Sequence, residues 1–132
     1  MSNNKNINNS PLPIVYGINN CDTVKKSLKW LNANHINHQF YDFKKQPLTK
    51  ALLARFVELK DWSTLLNKRS TTYRNLSDDI KNNLTDDIAF AQVLAQPTLL
   101  KRPLLLIPSH DTETSTQLYL GFNAESYQNI FQ

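Results

Sequence analysis

Cysteine and glycine are scarce in this sequence of 132 residues, which holds one cysteine and two glycines. A single cysteine cannot form an intramolecular disulfide, so a disulfide-stapled secreted domain is excluded. Two glycines are too few for the glycine-rich loops that surround phosphate groups. These shortages predict a cytoplasmic protein whose fold depends on an ordinary hydrophobic core.

Long apolar stretches are also missing. The run Leu104–Ile107 is far too short to span a bilayer. Residues Met1–Asn9 are polar and lack the apolar segment of a signal peptide. We therefore expect a soluble protein with no membrane partner.

The sequence has little excess charge and no grouping of metal ligands. Its net charge is +4, and the lysines at 25, 26, 29, 44 and 45 alternate with apolar residues as on the wet face of an element. Nucleic-acid binding needs a gathered basic stripe, so no nucleic-acid partner is expected. His35, His38 and His110 lack convergent ligand spacing, so no metal site is expected.

The first half of the chain alternates between strand and helix patterns. Residues 1–11 are too polar to offset their ordering entropy, and we interpret them as a disordered tail. Leu12–Ile18 and His38–Phe43 have the composition of strands, and Val24, Leu28 and Leu31 lie between them at helical spacing. Strand, helix and strand in this length predict a right-handed parallel βαβ unit.

The region of residues 47–97 is predicted to be a helical insertion within a single domain of residues 12–132. Thr49, Ser77 and Thr85 are suitable helix N-caps, and Pro97 ends the last helix. Ile88, Ala91 and Ala95 are expected to share one face of that helix.

Two strands and a helix complete the predicted fold. Leu104–Ile107, a continuous apolar run between prolines, predicts a buried central strand. A polar turn at Thr112–Thr116 leads to a strand at Gln117–Leu120, and Asn123 caps a final helix. The fold class is therefore α/β, with a four-stranded mixed sheet.

Cys21 is the residue most suited to chemistry, because it lies between a predicted strand end and a predicted helix start. Unpaired N–H groups at a helix start stabilise anions, and a thiolate is an anion. Asn20 or Asp22 could cap this helix, and Lys25 adds a nearby cation. The alternative is that Cys21 is a small buried hydrophobe, as most free cysteines are.

Three arginines, at positions 69, 74 and 102, are the remaining candidates. Pro103 cannot donate to a sheet ladder, so Lys101-Arg102-Pro103 stands before the strand that follows. Arginine binds oxyanions in a fork, so these residues could form an anion site beside a thiolate. The alternative is ordinary solvated charge.

Three motifs in order resemble those of the arsenate reductase (ArsC) family. They are VYGINNCDT from Val15 to Thr23, LLNKRSTTYR from Leu65 to Arg74, and KRPL from Lys101 to Leu104. The LGF of Leu120–Phe122 resembles the YffB-like branch, which is related to the Spx regulators. The resemblance covers almost the whole chain after the tail.

The resemblance implies a thioredoxin-like fold with Cys21 as the active-site thiol. It also implies that Arg102 faces the thiol and that Pro103 is a cis-proline. In the family's arsenate reductases a cysteine attacks arsenate, three arginines hold the oxyanion, and glutathione and glutaredoxin complete the reduction. Here Asn67 and Gly121 stand at two of the three arginine positions, so arsenate reduction is not expected.

The sequence therefore predicts a glutathione-dependent monothiol reductase with Cys21 and Arg102 as its catalytic residues. Arg69, Lys25, Asn20 and Pro103 are expected to contact the substrate or thiol. Glutathione is the expected co-substrate, glutathione or a glutaredoxin the partner, and no cofactor is expected to be bound. The protein is expected to be a monomer. The alternative is a non-catalytic binding or regulatory module related to Spx.

Overall fold

A four-stranded mixed sheet organises the computed structural model, which describes residues 11–109 and 116–132. The strands are β1 (Ile14–Gly17), β2 (Gln39–Asp42), β3 (Leu104–Ile107) and β4 (Gln117–Leu120), in the order β2-β1-β3-β4. β1 pairs with β2 in parallel, and β3 is antiparallel to both β1 and β4. The predicted sheet, with Leu104–Ile107 as a central strand, is confirmed.

Parts of two predictions lie outside the described residues. These are residues 1–10 of the predicted tail and residues 110–115, which include His110 and most of the predicted polar turn. The extent of the single domain, residues 12–132, stays a prediction.

Seven α-helices surround this sheet in the part of the chain that the structure describes. They are α1 (Asp22–Ala33), α2 (Lys50–Leu59), α3 (Trp62–Leu65), α4 (Thr71–Arg74), α5 (Asp78–Asn82), α6 (Asp86–Ala95) and α7 (Ala124–Phe131). A single 3-10 turn, Pro97–Leu99, follows α6. The helices α2 to α6 all lie between β2 and β3 in the chain.

The predicted N-caps act as expected in most helices. The side chains of Thr49, Ser77, Thr85 and Asn123 each accept a backbone N–H of the first turn. Asp61 and Ser70 do the same for α3 and α4. Each cap satisfies a donor that has no partner within its helix.

The sheet separates two apolar clusters because alternate strand residues face opposite sides. Tyr16, Leu104 and Leu106 pack on one side, with Phe56 and other buried residues from the region between β2 and β3. Val15 and Leu105 pack on the other side, with Leu31 of α1 and Tyr127 of α7. β3 is therefore apolar throughout because both of its faces are buried.

The face of α6 that Ile88, Ala91 and Ala95 share is not its buried side. Ala89 and Val93 are its buried residues, whereas Ala91 and Ala95 are exposed and Ile88 is half-buried. Apolar residues occur almost all round this helix, so their spacing does not determine which side faces the core.

Helix α1 packs closely on the sheet at Gly17, the last residue of β1. A Cβ atom placed on Gly17 would lie 2.7 Å from Cγ2 of Val24, and Val24 is fully buried. Any side chain larger than hydrogen would therefore require the Val24 side chain or α1 itself to shift.

We expect Gly17→Ala to lower the free energy of unfolding by about 1–3 kcal/mol, because the added methyl overpacks a closed site. Denaturant unfolding would measure the change. A matched background is Val24→Ala, which removes both Cγ atoms and leaves the new Cβ 3.7 Å from Val24 Cβ, an ordinary contact. Gly17→Ala should cost clearly less in that background. An equal cost in both backgrounds would contradict the close contact.

Candidate functional site

The segments that contain the predicted site residues lie at one edge of the sheet, where β1 ends and β3 begins. β1 and β2 end there together, with Gly17 paired to Asp42 and the Phe43 N–H donating to the Gly17 carbonyl at 2.8 Å. β3 begins at this edge and β4 ends there, where the Gly121 N–H donates to the Pro103 carbonyl at 2.9 Å. The segments after β1 and before β3 are therefore neighbours.

Cys21 lies just beyond this edge, in a tight turn after β1. Its N–H donates to the Ile18 carbonyl at 3.3 Å, and its own carbonyl accepts the Lys25 N–H at 3.0 Å. Cys21 itself is the N-cap of α1, so the sequence-based choice of Asn20 or Asp22 is wrong. Cys21 is the last residue with an extended backbone before the helix begins at Asp22, so the N-cap falls between the two candidates.

The start of α1 differs from that of every other described α-helix. Cys21 makes no side-chain capping hydrogen bond, whereas an oxygen of the N-cap side chain accepts a first-turn N–H in the other six. The first-turn N–H groups of α1 are therefore not taken by a side-chain cap, and they remain available to an anion. The cysteine is half-buried and forms no disulfide.

A basic cavity of about 520 Å³ opens at the same edge of the sheet. Four cationic side chains line it together with polar and small residues, namely Lys68, Arg69, Lys101 and Arg102 with Ser63, Asn67 and Gly121. None of the described residues that line it is acidic, so its electrostatic character favours anionic groups. Cys21 is not among its lining residues.

Arg102 lines this cavity and is anchored to the backbone. Its Nη1 donates to the carbonyls of Thr98 at 2.7 Å and Leu100 at 3.3 Å, while its buried Nε has no partner. The bond from Arg102 to Pro103 is cis, as the resemblance implies. The guanidinium is thus held in place through one nitrogen and retains an unused donor.

Arg69 shares the cavity with Arg102 but is held less firmly. Its side chain is exposed, and its backbone N–H donates to Oδ1 of Asn67 at 3.1 Å.

Gly121 has φ of +79°, a conformation that an arginine would adopt only with strain. The structure therefore brings Arg69 and Arg102 together and places the two substituted positions, Asn67 and Gly121, around the same cavity.

Of the remaining predicted site residues, Asn20 precedes Cys21 in the chain and Lys25 follows it, and both side chains are exposed. Sequence reasoning missed Lys68 and Lys101 of the basic cavity, although each is adjacent to a predicted arginine. It also missed Asp42, which is buried at the sheet edge. The available signal was an acid at a strand end, within the aromatic sequence of Phe40 to Phe43.

Residues 11–109 and 116–132 contain no group of three or more His, Cys, Asp or Glu side chains that could hold a metal ion. Within the same ranges, every helix is too short or too polar to cross a membrane.

Comparison with known proteins identifies the family. The model of the ArsC family matches residues 16–130. An uncharacterised protein of Haemophilus influenzae is 41% identical over 117 residues, covering 89% of this chain and 96% of its own. The global transcriptional regulator Spx of Lactiplantibacillus plantarum is 25% identical over 119 residues, which cover 89% of this chain and 84% of the Spx chain.

A solved structure shows the same architecture. The YffB protein superposes with a TM-score of 0.78 and 32% identity, covering 91% of this chain and 99% of its own. The mixed sheet and its helices are thus the α/β, thioredoxin-like fold of these neighbours. With the family model matched from Tyr16 almost to the last residue, the chain belongs to the ArsC family.

Proposed function

We propose that this protein is a monothiol reductase of the ArsC family that acts through Cys21 with glutathione as its thiol partner. The observation that carries the proposal is the position of Cys21 at the start of α1, where no side chain caps the helix. A thiolate there meets unpaired N–H groups and the positive end of the helix dipole. Lys25, exposed in the first turn, adds positive charge, and Asn20 is a polar contact for the bound thiol.

The reaction is a pair of thiol–disulfide exchanges. The Cys21 thiolate attacks the glutathione sulfur of a mixed disulfide between glutathione and a second thiol. That disulfide breaks, the second thiol leaves as a thiolate and takes up a proton, and Cys21 is now joined to glutathione. A second glutathione or a glutaredoxin thiolate attacks the same glutathione sulfur and regenerates the Cys21 thiolate. Overall, one donor thiol is consumed: the second thiol is released from its mixed disulfide, and a new disulfide forms between the donor and the glutathione of the substrate.

The basic cavity supplies the anion-binding part of this proposal. Glutathione carries two carboxylates, and the four cationic side chains of the cavity suit one of them. Arg102 is the pre-positioned donor because its Nη1 is fixed to backbone carbonyls. Arg69 assists from the exposed rim, and Pro103 borders the bound tripeptide where β3 begins.

A regulatory module is the second candidate, and the similarity to Spx supports it. A protein of this kind would keep the fold without turning over a disulfide. Reaction of Cys21 with glutathione separates the two candidates, because the regulatory role does not require the thiol to be reactive.

The first prediction from this proposal is that glutathione disulfide converts the protein to a mixed disulfide at Cys21. Intact-mass spectrometry against time should show one added glutathione, and Cys21→Ser should show none. Arg102→Met should slow the reaction about tenfold or more, since a hydrogen bond to a charged group is lost. Arg69→Met should slow it less, because exposed charges are screened.

A matched control for both substitutions is Arg74→Met. Arg74 is an exposed arginine at the end of α4 and does not line the basic cavity. It should react at the rate of the unchanged protein. Equal rates for the variants at positions 69, 74 and 102 would refute the role of the basic cavity, and no mixed disulfide at all would favour the regulatory module.

The second prediction is that purified protein with glutathione and glutaredoxin reduces arsenate poorly or not at all. The family resemblance implies three arginines around the oxyanion, and Asn67 and Gly121 replace two of them. Each lost charge-assisted contact to a buried anion costs about 2–5 kcal/mol. Together they should slow the step by a factor on the order of a thousand or more. Robust arsenate turnover that Cys21→Ser abolishes would contradict this expectation.

A further inference from the structure

Asp42 has a buried carboxylate oxygen with no hydrogen-bond donor. The residue is 5% exposed, and its Oδ1 accepts the Lys44 N–H at 2.9 Å. Its Oδ2 is buried and makes no hydrogen bond. Burying a carboxylate oxygen without a hydrogen-bond donor costs free energy of folding. The turn at Asp42 uses only Oδ1, so it does not explain why Oδ2 is buried.

The same carboxylate lines a cavity of about 330 Å³, distinct from the basic cavity. The other lining residues are Asn19, Phe40, Lys45 and Gln46. Asn19 belongs to the turn that ends at Cys21, so this cavity borders the cysteine's own turn. Lys45 and Gln46 are exposed, and a ligand that reaches Oδ2 would require local side chains to shift, because that atom is buried.

The order of strands places the two cavities on opposite sides of the cysteine turn. Asp42 ends β2, Cys21 follows β1, and Arg102 precedes β3, while the strands are ordered β2-β1-β3. Neighbouring strands are about 4.8 Å apart, so Asp42 at the end of β2 is roughly 10 Å across the sheet from the strand that Arg102 precedes. An extended peptide of three residues also spans roughly 10 Å.

We propose that the cavity at Asp42 binds the γ-glutamyl end of glutathione through its α-ammonium group. The ammonium donates to Oδ2 of Asp42, and the adjacent α-carboxylate meets Lys45. The glutathione sulfur then lies at the cysteine turn, and the glycine carboxylate extends toward the basic cavity. The identity of the ligand rests on the proposed function, whereas the preference for an ammonium group rests on Asp42.

The alternative for Asp42 is a purely structural role in its turn. Asp42→Asn separates the two, because asparagine retains an Oδ1 acceptor for the Lys44 N–H and replaces Oδ2 with an amide donor. The variant should therefore preserve the turn and lose the ammonium partner. Asp86→Asn is the matched control, since Asp86 is exposed at the start of α6 and lines neither cavity.

The test measures non-covalent binding to the full chain carrying Cys21→Ser, by calorimetric or NMR titration. One probe is S-methylglutathione, and the other is the same compound with its α-ammonium replaced by hydrogen. We expect the ammonium probe to bind about tenfold more tightly. Asp42→Asn should remove this preference, and Asp86→Asn should keep it.

Equal affinity of the two probes, or no saturable binding of either, would overturn the proposal. A preference that survives Asp42→Asn would overturn it as well. If that variant fails to fold, the comparison of the two probes on the chain with Asp42 intact still decides. A preference found in a protein whose Cys21 does not react would support this binding site while rejecting the proposed reaction, and a reactive Cys21 without the preference would do the reverse.

Discussion

The close contact between Gly17 and Val24 is the constraint on which the site depends. With no side chain at position 17, the first turn of α1 packs directly on the end of β1. That packing leaves only a short turn between strand and helix, so Cys21 becomes the last extended residue before the helix. Its thiol thus lies next to the sheet edge where β2 ends and β3 begins. A larger residue at position 17 would require Val24 or the helix start to shift.

The proposed chemistry depends on opposite charges that flank this one cysteine. Four cationic side chains line the cavity on the β3 and β4 side, and the carboxylate of Asp42 is buried on the β2 side. A ligand with an ammonium at one end, a sulfur in the middle and a carboxylate at the other end would fit this order. In the basic cavity, Asn67 and Gly121 stand at two positions where the family resemblance implies arginines, so fewer guanidinium groups are available to a multiply charged oxyanion.

Much of the fold could be predicted from the sequence because its signals are local. Capping residues such as Thr49 and Thr85 act within one helical turn, and the apolar run at Leu104–Ile107 reflects burial of both faces. The site could be predicted only in part. The two predicted arginines, Arg69 and Arg102, do share a cavity. The burial of the Asp42 carboxylate could not be predicted, because it depends on the pairing of β2 with β1. That pairing joins residues far apart in the chain and leaves no periodic pattern in the sequence. The buried side of α6 could not be predicted for a similar reason, since a helix that is apolar almost all round takes its orientation from its neighbours.

The most direct test of the proposed site is a high-resolution crystal structure of the protein with glutathione joined to Cys21. We expect the tripeptide to lie across the sheet edge, with its α-ammonium within hydrogen-bond distance of Asp42 Oδ2. Its glycine carboxylate should contact Arg102 or another cation of the basic cavity. A tripeptide bound in the reverse direction, or directed into solvent away from both cavities, would contradict the proposed arrangement of charges around the cysteine.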